Sequence, residues 1–238
     1  MKKTLKFQVE ILTRIWHPNL VSCIAAYEKQ YTLICEHSPN GTLQDQLVNE
    51  GHMASFSWEE RVEISATICS TLLFLHNTKP TPIIYGDLKA ENICFDADKV
   101  CRLSVFGMSY RPTQHATNNN KAPSNQSDTR DFGIVLLQMV TGQREKGLVR
   151  MKVLSMMGDV NLFQEKSVGW RREVLKQKNI VDSRLDNCPT EQAVKMLLLG
   201  LRCSNPEENQ RPDLATEVWT QIQSIKMGAA ESRVRGLF

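Results

Sequence analysis

The chain has 238 residues, 41% hydrophobic and 23% charged, a balance ordinary for a soluble globular protein with one large or two small domains. The formal charge of +3, with Lys and Arg scattered and no interleaved aromatics, argues against nucleic acid as a partner. The longest apolar runs, "FGIVLL" and "MLLLGL", fall far short of the roughly 20 residues that cross a bilayer, and "MKKTLKFQVEIL" lacks the apolar core of a signal peptide, so no membrane association is expected.

In chain order, "LKFQVEILTRIW" spaces Phe7, Ile11, Leu12 and Ile15 for a helix that Pro18 ends. "LVSCIAAYE" and "YTLICEH" flank a short Lys-Gln turn and predict a hairpin, which "SPNG" closes. "SWEE" is a capping box, with Glu60 three residues after Ser57. It opens a long helix with Val62, Ala66, Cys69 and Leu73 on one face, widened by Ile64, Ile68, Leu72 and Leu75, and so broad a stripe means burial. "TPIIYGDLKAENICFDADKVCRLSVFG" reads as short strands broken by loops and the tight "DADK" turn. "SYRPTQHATNNNKAPSNQS" is polar and poorly periodic, an extended flexible segment.

A second buried helix starts near Asp128 in "SDTRDFGIVLLQMVTG", with Ser127 or Asp128 as cap and Gly142 as terminator. From Gln143 to Ile225 the chain reads as helices in irregular connections. "TEQAVKMLLLGLRC" and "RPDLATEVWTQIQSI" are the clearest, the latter with Leu214, Val218, Ile222 and Ile225 in a stripe. The tail "KMGAAESRVRGLF" offers no clear partner. Cys23, Cys35, Cys69, Cys94, Cys101, Cys188 and Cys203 include no C-x-x-C pair, and their odd count and apolar settings suit free thiols of a cytoplasmic protein.

This order resembles a protein-kinase domain from its helix C onward. "ILTRIWHPNLV" is similar to the end of helix C and the loop after it, "ICEHSPNGTL" to the hinge, and "YGDLKAEN" to the catalytic loop. "LSVFGMS" resembles the metal-binding loop, "KAPS" the end of the activation segment, and "SDTRDFGIVLLQMVTG" the buried helix F. "GDLK" in place of the commoner Arg-Asp-Leu-Lys, with "RPDLATEVWTQIQSI" at the end, is similar to the kinase domains of plant U-box proteins. The resemblance implies an α+β, protein-kinase-like fold. Residues 1–40 would be a partial N-lobe of helix C, two strands and hinge, residues 41–225 the mostly helical C-lobe, and residues 226–238 a flexible tail. The Gly-rich loop and a U-box are expected to be lacking, because the former precedes helix C and the latter is longer than the stretch after the last helix.

Kinase chemistry rests on positioning and electrostatics, so the parts can be checked one by one. The resemblance puts Asp87 where the catalytic base stands, Lys89 where a side chain approaches the γ-phosphate, and Asn92 where a metal is held. It puts the backbone of Glu36 to Ser38 at the nucleotide-binding hinge. Val105, however, replaces the magnesium-chelating Asp, and an isopropyl group offers no oxygen to a hard cation. Gln8 aligns with the helix C Glu, Glu10 is off its face, and Lys2 and Lys3 are too close to helix C to replace the phosphate-binding Lys. Gly86 replaces the Arg that receives an activation-loop phosphate, and Ser124 replaces the Glu that would pair with Arg211.

The plainer roles are structural. Asp87 is expected to survive as a loop residue bonded to the backbone and Asn92, and Asp128 to cap helix F and tether the catalytic loop. Val105, Trp58, Trp170 and Trp219 are expected to pack in the interior, and His17, His37, His76 and His115, lacking ligand spacing, to occupy surface or loop positions. The leading expectation is a catalytically deficient kinase-like domain, a pseudokinase that binds proteins and uses no cofactor. Two alternatives stay open: a weakly active Ser/Thr kinase using ATP and Mg, and a truncated relative of a U-box ubiquitin ligase.

Overall fold

The computed structural model describes residues 15–27, 32–48, 56–104, 124–157, 180–185 and 188–235. Phe7, Ile11 and Leu12 of the expected first helix, and most of the polar segment after Gly107, lie outside them, as do Lys2, Lys3, Gln8, Glu10, Val105, His115 and Trp170. Among the described residues the chain is mostly helical with two small antiparallel sheets, the α+β composition expected. No described helix is long and apolar enough to cross a membrane. The chain divides into two compact units, one of residues 1–45 and 67–128, the other of residues 46–66 and 129–238.

The first unit holds the expected hairpin, β1 (Cys23–Tyr27) and β2 (Thr32–Cys35), antiparallel with a register shift between Cys23 and Ala25. Its second sheet pairs β3 (Ile93–Phe95) with β4 (Cys101–Leu103). The "DADK" turn joins them because Asp96 holds both of its sides: Oδ1 accepts the amides of Asp98 and Val100, and Oδ2 accepts Arg102 Nε at 2.9 Å. Leu20 bridges to Leu103, with the Val21 amide donating to Leu103 O at 2.9 Å and the Leu103 amide to Asn19 O at 2.8 Å. Ile68, Leu72, Leu75, Leu88, Ile93, Phe95 and Leu103 are sealed from solvent and form this unit's core. A short helix, α1 (Leu43–Val48), starts where Thr42 and Asp45 cap each other reciprocally.

The long helix α2 (Trp58–His76) begins as predicted: Ser57 Oγ accepts the Glu60 amide and Glu60 Oε2 accepts the Ser57 amide at 2.8 Å. Its broad stripe is buried at Val62, Ile64, Ala66, Ile68, Cys69, Leu72 and Leu75, while Leu73 is only half-buried. The first part of α2 belongs to the second unit, with α3 (Asn125–Thr141) from Thr129 onward, α4 (Lys146–Met157), α5 (Thr190–Cys203) and α6 (Trp219–Arg235). A Cβ on Gly133 of α3 would stand 2.6 Å from Cys203 Cβ and 2.7 Å from Gly200 O, so α3 and α5 touch backbone to backbone there.

Two buried polar pairs tie distant segments of this unit. Trp58 Nε1 donates to Gln192 Oε1 at 2.7 Å. Arg61, 3% exposed, pairs with Asp182 at 2.8 Å and donates to Met139 O and Phe56 O. Arg184 completes the group by donating to Asp182 through its amide, Nε and Nη2.

Two local expectations are corrected. The cap of α3 is Ser124, not Ser127 or Asp128: the Ser124 and Ser127 amides each donate to the other's hydroxyl, so helix formation starts a turn earlier and Asp128 lies in the first turn. Helix α6 does not end at Ile225 but continues to Arg235, with Ala229 buried and Lys226 Nζ paired with Glu63 at 2.7 Å.

Candidate functional site

The candidate site lies in the first unit and is organised by Asp128. Its carboxylate is fully buried, and burying that charge is costly unless donors surround it. Three do so: Oδ1 accepts the Gly86 amide at 2.8 Å, and Oδ2 accepts the Tyr85 amide at 2.9 Å and His76 Nε2–H at 2.8 Å. Gly86 sits at φ +82°, a left-handed conformation that would cost a residue with a Cβ roughly 1–2 kcal/mol. The turn at Gly86 sends Asp87 outward, half-exposed, while Tyr85 goes inward and is fully buried.

Asp87 and the residues after it form a closed set of contacts. Lys89 Nζ is 2.8 Å from Asp87 Oδ2, and this hydrogen bond is the main reason the Lys89 ammonium holds its proton above the ordinary lysine range. Asn92 Nδ2 donates to Asp87 O at 2.8 Å and to Asp87 Oδ2 at 3.1 Å. A single 3-10 turn, Ala90–Asn92, sets that reach, with the Asn92 amide donating to Lys89 O. Asn92 O in turn accepts the Ser104 amide at 2.8 Å, and Ser104 O accepts the Tyr85 hydroxyl at 2.7 Å. Burial first, then the neighbouring Cys94, Asp87 and Asp128, push the Tyr85 phenol well above its usual range, so it stays a donor. Ser104, the residue before position 105, is therefore held on both its amide and its carbonyl.

Glu36 and Ser38 come directly after β2. The Glu36 amide donates to Ser22 O at 2.9 Å, Ser38 O accepts the Gly41 amide at 3.1 Å, and the Glu36 carboxylate stands 3.7 Å from Arg102 Nη1. Thus Asp87, Lys89, Asn92, Asp128 and Ser104 form one bonded group, and Glu36 adjoins the β3–β4 sheet through Arg102.

Residues 1–132 match the protein kinase domain family. The chain belongs to that family. U-box domain-containing protein 70 of rice is 32% identical over 248 residues, an alignment covering 94% of this chain and 29% of the relative. U-box domain-containing protein 33 of Arabidopsis thaliana is 28% identical, with 94% and 27% covered. U-box domain-containing protein 57 of rice is 29% identical, with 94% and 43% covered. The chain thus spans less than half the length of each of these plant proteins, in keeping with the resemblance to U-box relatives carried by its motifs.

The bonded group brings together Asp87, Lys89 and Asn92, which the sequence resemblance assigns to the catalytic loop, and Asp128 in the first turn of α3. Gly86 adopts its positive φ without strain, which gives the glycine at this position a backbone reason. Arg211, in the second unit, donates through Nε to Asn205 O at 2.7 Å and through Nη2 to Pro206 O at 3.0 Å. Burial, and then Arg130, lower its proton affinity.

Sequence reasoning overlooks three members of the site. His76 is expected at a surface or in a loop, but it is buried at the end of α2 against Asp128. Tyr85 and Ser104 carry no motif of their own. The apolar run "IIY" is the available signal: it predicts burial of Tyr85, and a buried phenol needs an acceptor.

Proposed function

We propose that this kinase domain is a catalytically deficient pseudokinase that acts as a protein-interaction scaffold in the cytoplasm. The observation that carries the reading is Val105, which comes after Ser104 where the family places its magnesium-binding Asp. Magnesium demands near-octahedral oxygen ligands, usually including a carboxylate. Val105 supplies none, and Asn92 has one neutral amide oxygen with its amide nitrogen committed to Asp87. These residues do not fit a magnesium-bound nucleotide, and no step is derived through one. Absence of the Lewis-acid contact would forfeit several kcal/mol of transition-state stabilisation, about tenfold in rate per 1.36 kcal/mol.

The scaffold half of the reading draws on exposed apolar side chains of the first unit. Trp16 is 79% exposed and Ile24 66%, and exposed apolar side chains of this kind are what a protein partner would cover. Seven cysteines, none of them in a disulfide, suit a reducing compartment.

A second reading, a weakly active Ser/Thr kinase, is favoured by the ordered contacts among Asp87, Lys89 and Asn92, which keep a base, a cation and an amide together. A thermal-shift titration with ATP, with and without magnesium or manganese, separates the two. The pseudokinase reading expects no metal-dependent rise in Tm. A clear rise, together with labelled phosphate transferred to protein hydroxyls and lost in Asp87→Ala, would establish the kinase instead.

A further inference from the structure

Cys23 and Cys35 are register partners across the β1–β2 hairpin. The Glu36 amide donates to Ser22 O at 2.9 Å, which makes the adjoining Ser22–Glu36 pair the hydrogen-bonded one and Cys23–Cys35 a non-hydrogen-bonded site. At such sites Cα atoms stand about 4.5 Å apart and side chains approach most closely, within the roughly 4.4–6.8 Å that a disulfide spans. Cys23 Sγ donates to Ala25 O at 3.5 Å, on its own strand. Both cysteines are half-buried, and neither is in a disulfide. The register shift just after Cys23 marks a bulge, a device that re-aims side chains locally. Across the other sheet Cys94 faces Arg102 and Cys101 faces Phe95, so among the described residues only this strand register opposes two cysteines.

We propose that Cys23 and Cys35 are a redox-sensitive dithiol, a modification site at which a hydroperoxide oxidises the pair to a cross-strand disulfide immediately before the Glu36–Ser38 segment. The Cys23 thiolate attacks a peroxide oxygen and the O–O bond breaks, leaving Cys23 as a sulfenic acid and, with hydrogen peroxide, releasing water. Cys35 sulfur then attacks Cys23 sulfur, the S–O bond breaks, and hydroxide leaves with the proton from Cys35 as a second water. Two thiols and one hydrogen peroxide thus give one disulfide and two waters. The surroundings set the order. Burial, and then the neighbouring Cys23, push the Cys35 thiol up to about 11, so Cys35 is the poorer first nucleophile. Conversion of Cys23 to a neutral sulfenic acid removes the second of those causes.

Lys29 lies between the two cysteines, and trypsin therefore places them on separate peptides, residues 15–29 and 30–61, each with one cysteine. The full reduced chain is titrated with hydrogen peroxide, quenched with an alkylating agent and digested without reductant. The expected product is the two peptides joined, lighter by two hydrogens than their sum and separated by reductant. Amide exchange over residues 20–36 should slow about tenfold or more on oxidation and recover on reduction. On the parent chain phenylarsine oxide should bind one-to-one with loss of water and protect both cysteines from alkylation, a measurement that needs no variant. Peptides that stay separate at every peroxide level, a link from either cysteine to a different one or to a second chain, or an arsenical that leaves Cys23 or Cys35 alkylatable would each overturn the proposal. Cys23→Ser should abolish the link.

Discussion

Asp182→Asn removes one charge from the buried group of the helical unit while nearly conserving volume. Asp182 accepts four hydrogen bonds, three from Arg184 and one from Arg61, and the Arg61 guanidinium behind it is almost sealed from water. Burial alone would raise the carboxyl, but the Arg184 bonds and the Arg61 charge outweigh it and hold the group down at about 2 against an ordinary 3.8. At 1.36 kcal/mol per unit, that difference amounts to about 2 kcal/mol of stability. The amide also turns an N–H₂ toward donors and leaves Arg61 unpaired, which brings the total to about 3 kcal/mol or more. Because the folded-state value is depressed, this stability is fully present above about pH 4 and is lost as pH falls toward 2. Urea unfolding of parent and variant at pH 7 and at steps down to pH 2.5 measures both quantities. The variant should be less stable by about 3 kcal/mol at neutral pH, and the gap should narrow below pH 4. A neutral-pH difference below about 1 kcal/mol, or a gap independent of pH throughout, would refute the account of Asp182 as the counter-ion of a buried Arg61.

Gly86→Ala should cost about 1 kcal/mol in the same assay, because alanine must adopt the φ of +82°, and no change would mean the loop relaxes. Trp58→Phe loses the indole donor to Gln192 and should cost about 1–2 kcal/mol. A neutral result would show that water or another group takes its place. Asp128→Asn places an amide where three donors converge and should destabilise by about 2–3 kcal/mol while speeding amide exchange at Tyr85 and Gly86. Unchanged exchange at those two amides would contradict its role as tether.

What could be read from the sequence was local or motif-borne. The Ser57–Glu60 box, the β1–β2 hairpin and the broad stripe of α2 depend on residues a few positions apart, and the structure contains all three. The Asp-Lys-Asn spacing of 87, 89 and 92 is also short-range. Contacts that join remote positions were not legible: Arg61 and Asp182 are 121 residues apart, and Trp58 and Gln192 are 134 apart, with nothing in either neighbourhood pointing to the other. The cap of α3 is ambiguous in sequence because "APSNQSD" offers several capping residues, and only the reciprocal Ser124–Ser127 bonds choose among them. Helix α6 reads short because "MGAA" carries little hydrophobic signal, although a Cβ at Gly228 would stand 3.3 Å from Gln192 Nε2 and Ala229 is buried.

The carboxylate of Asp128 separates the shape of the loop from its chemistry. Tyr85 and Gly86 are held by their backbone amides, which every sequence but one with proline supplies, and the holding group comes from a helix rather than from the loop itself. Removing the carboxylate would therefore loosen this loop whether or not phosphate is ever transferred. The pose of Asp87 is thus a consequence of foldedness and is not by itself a sign of chemistry.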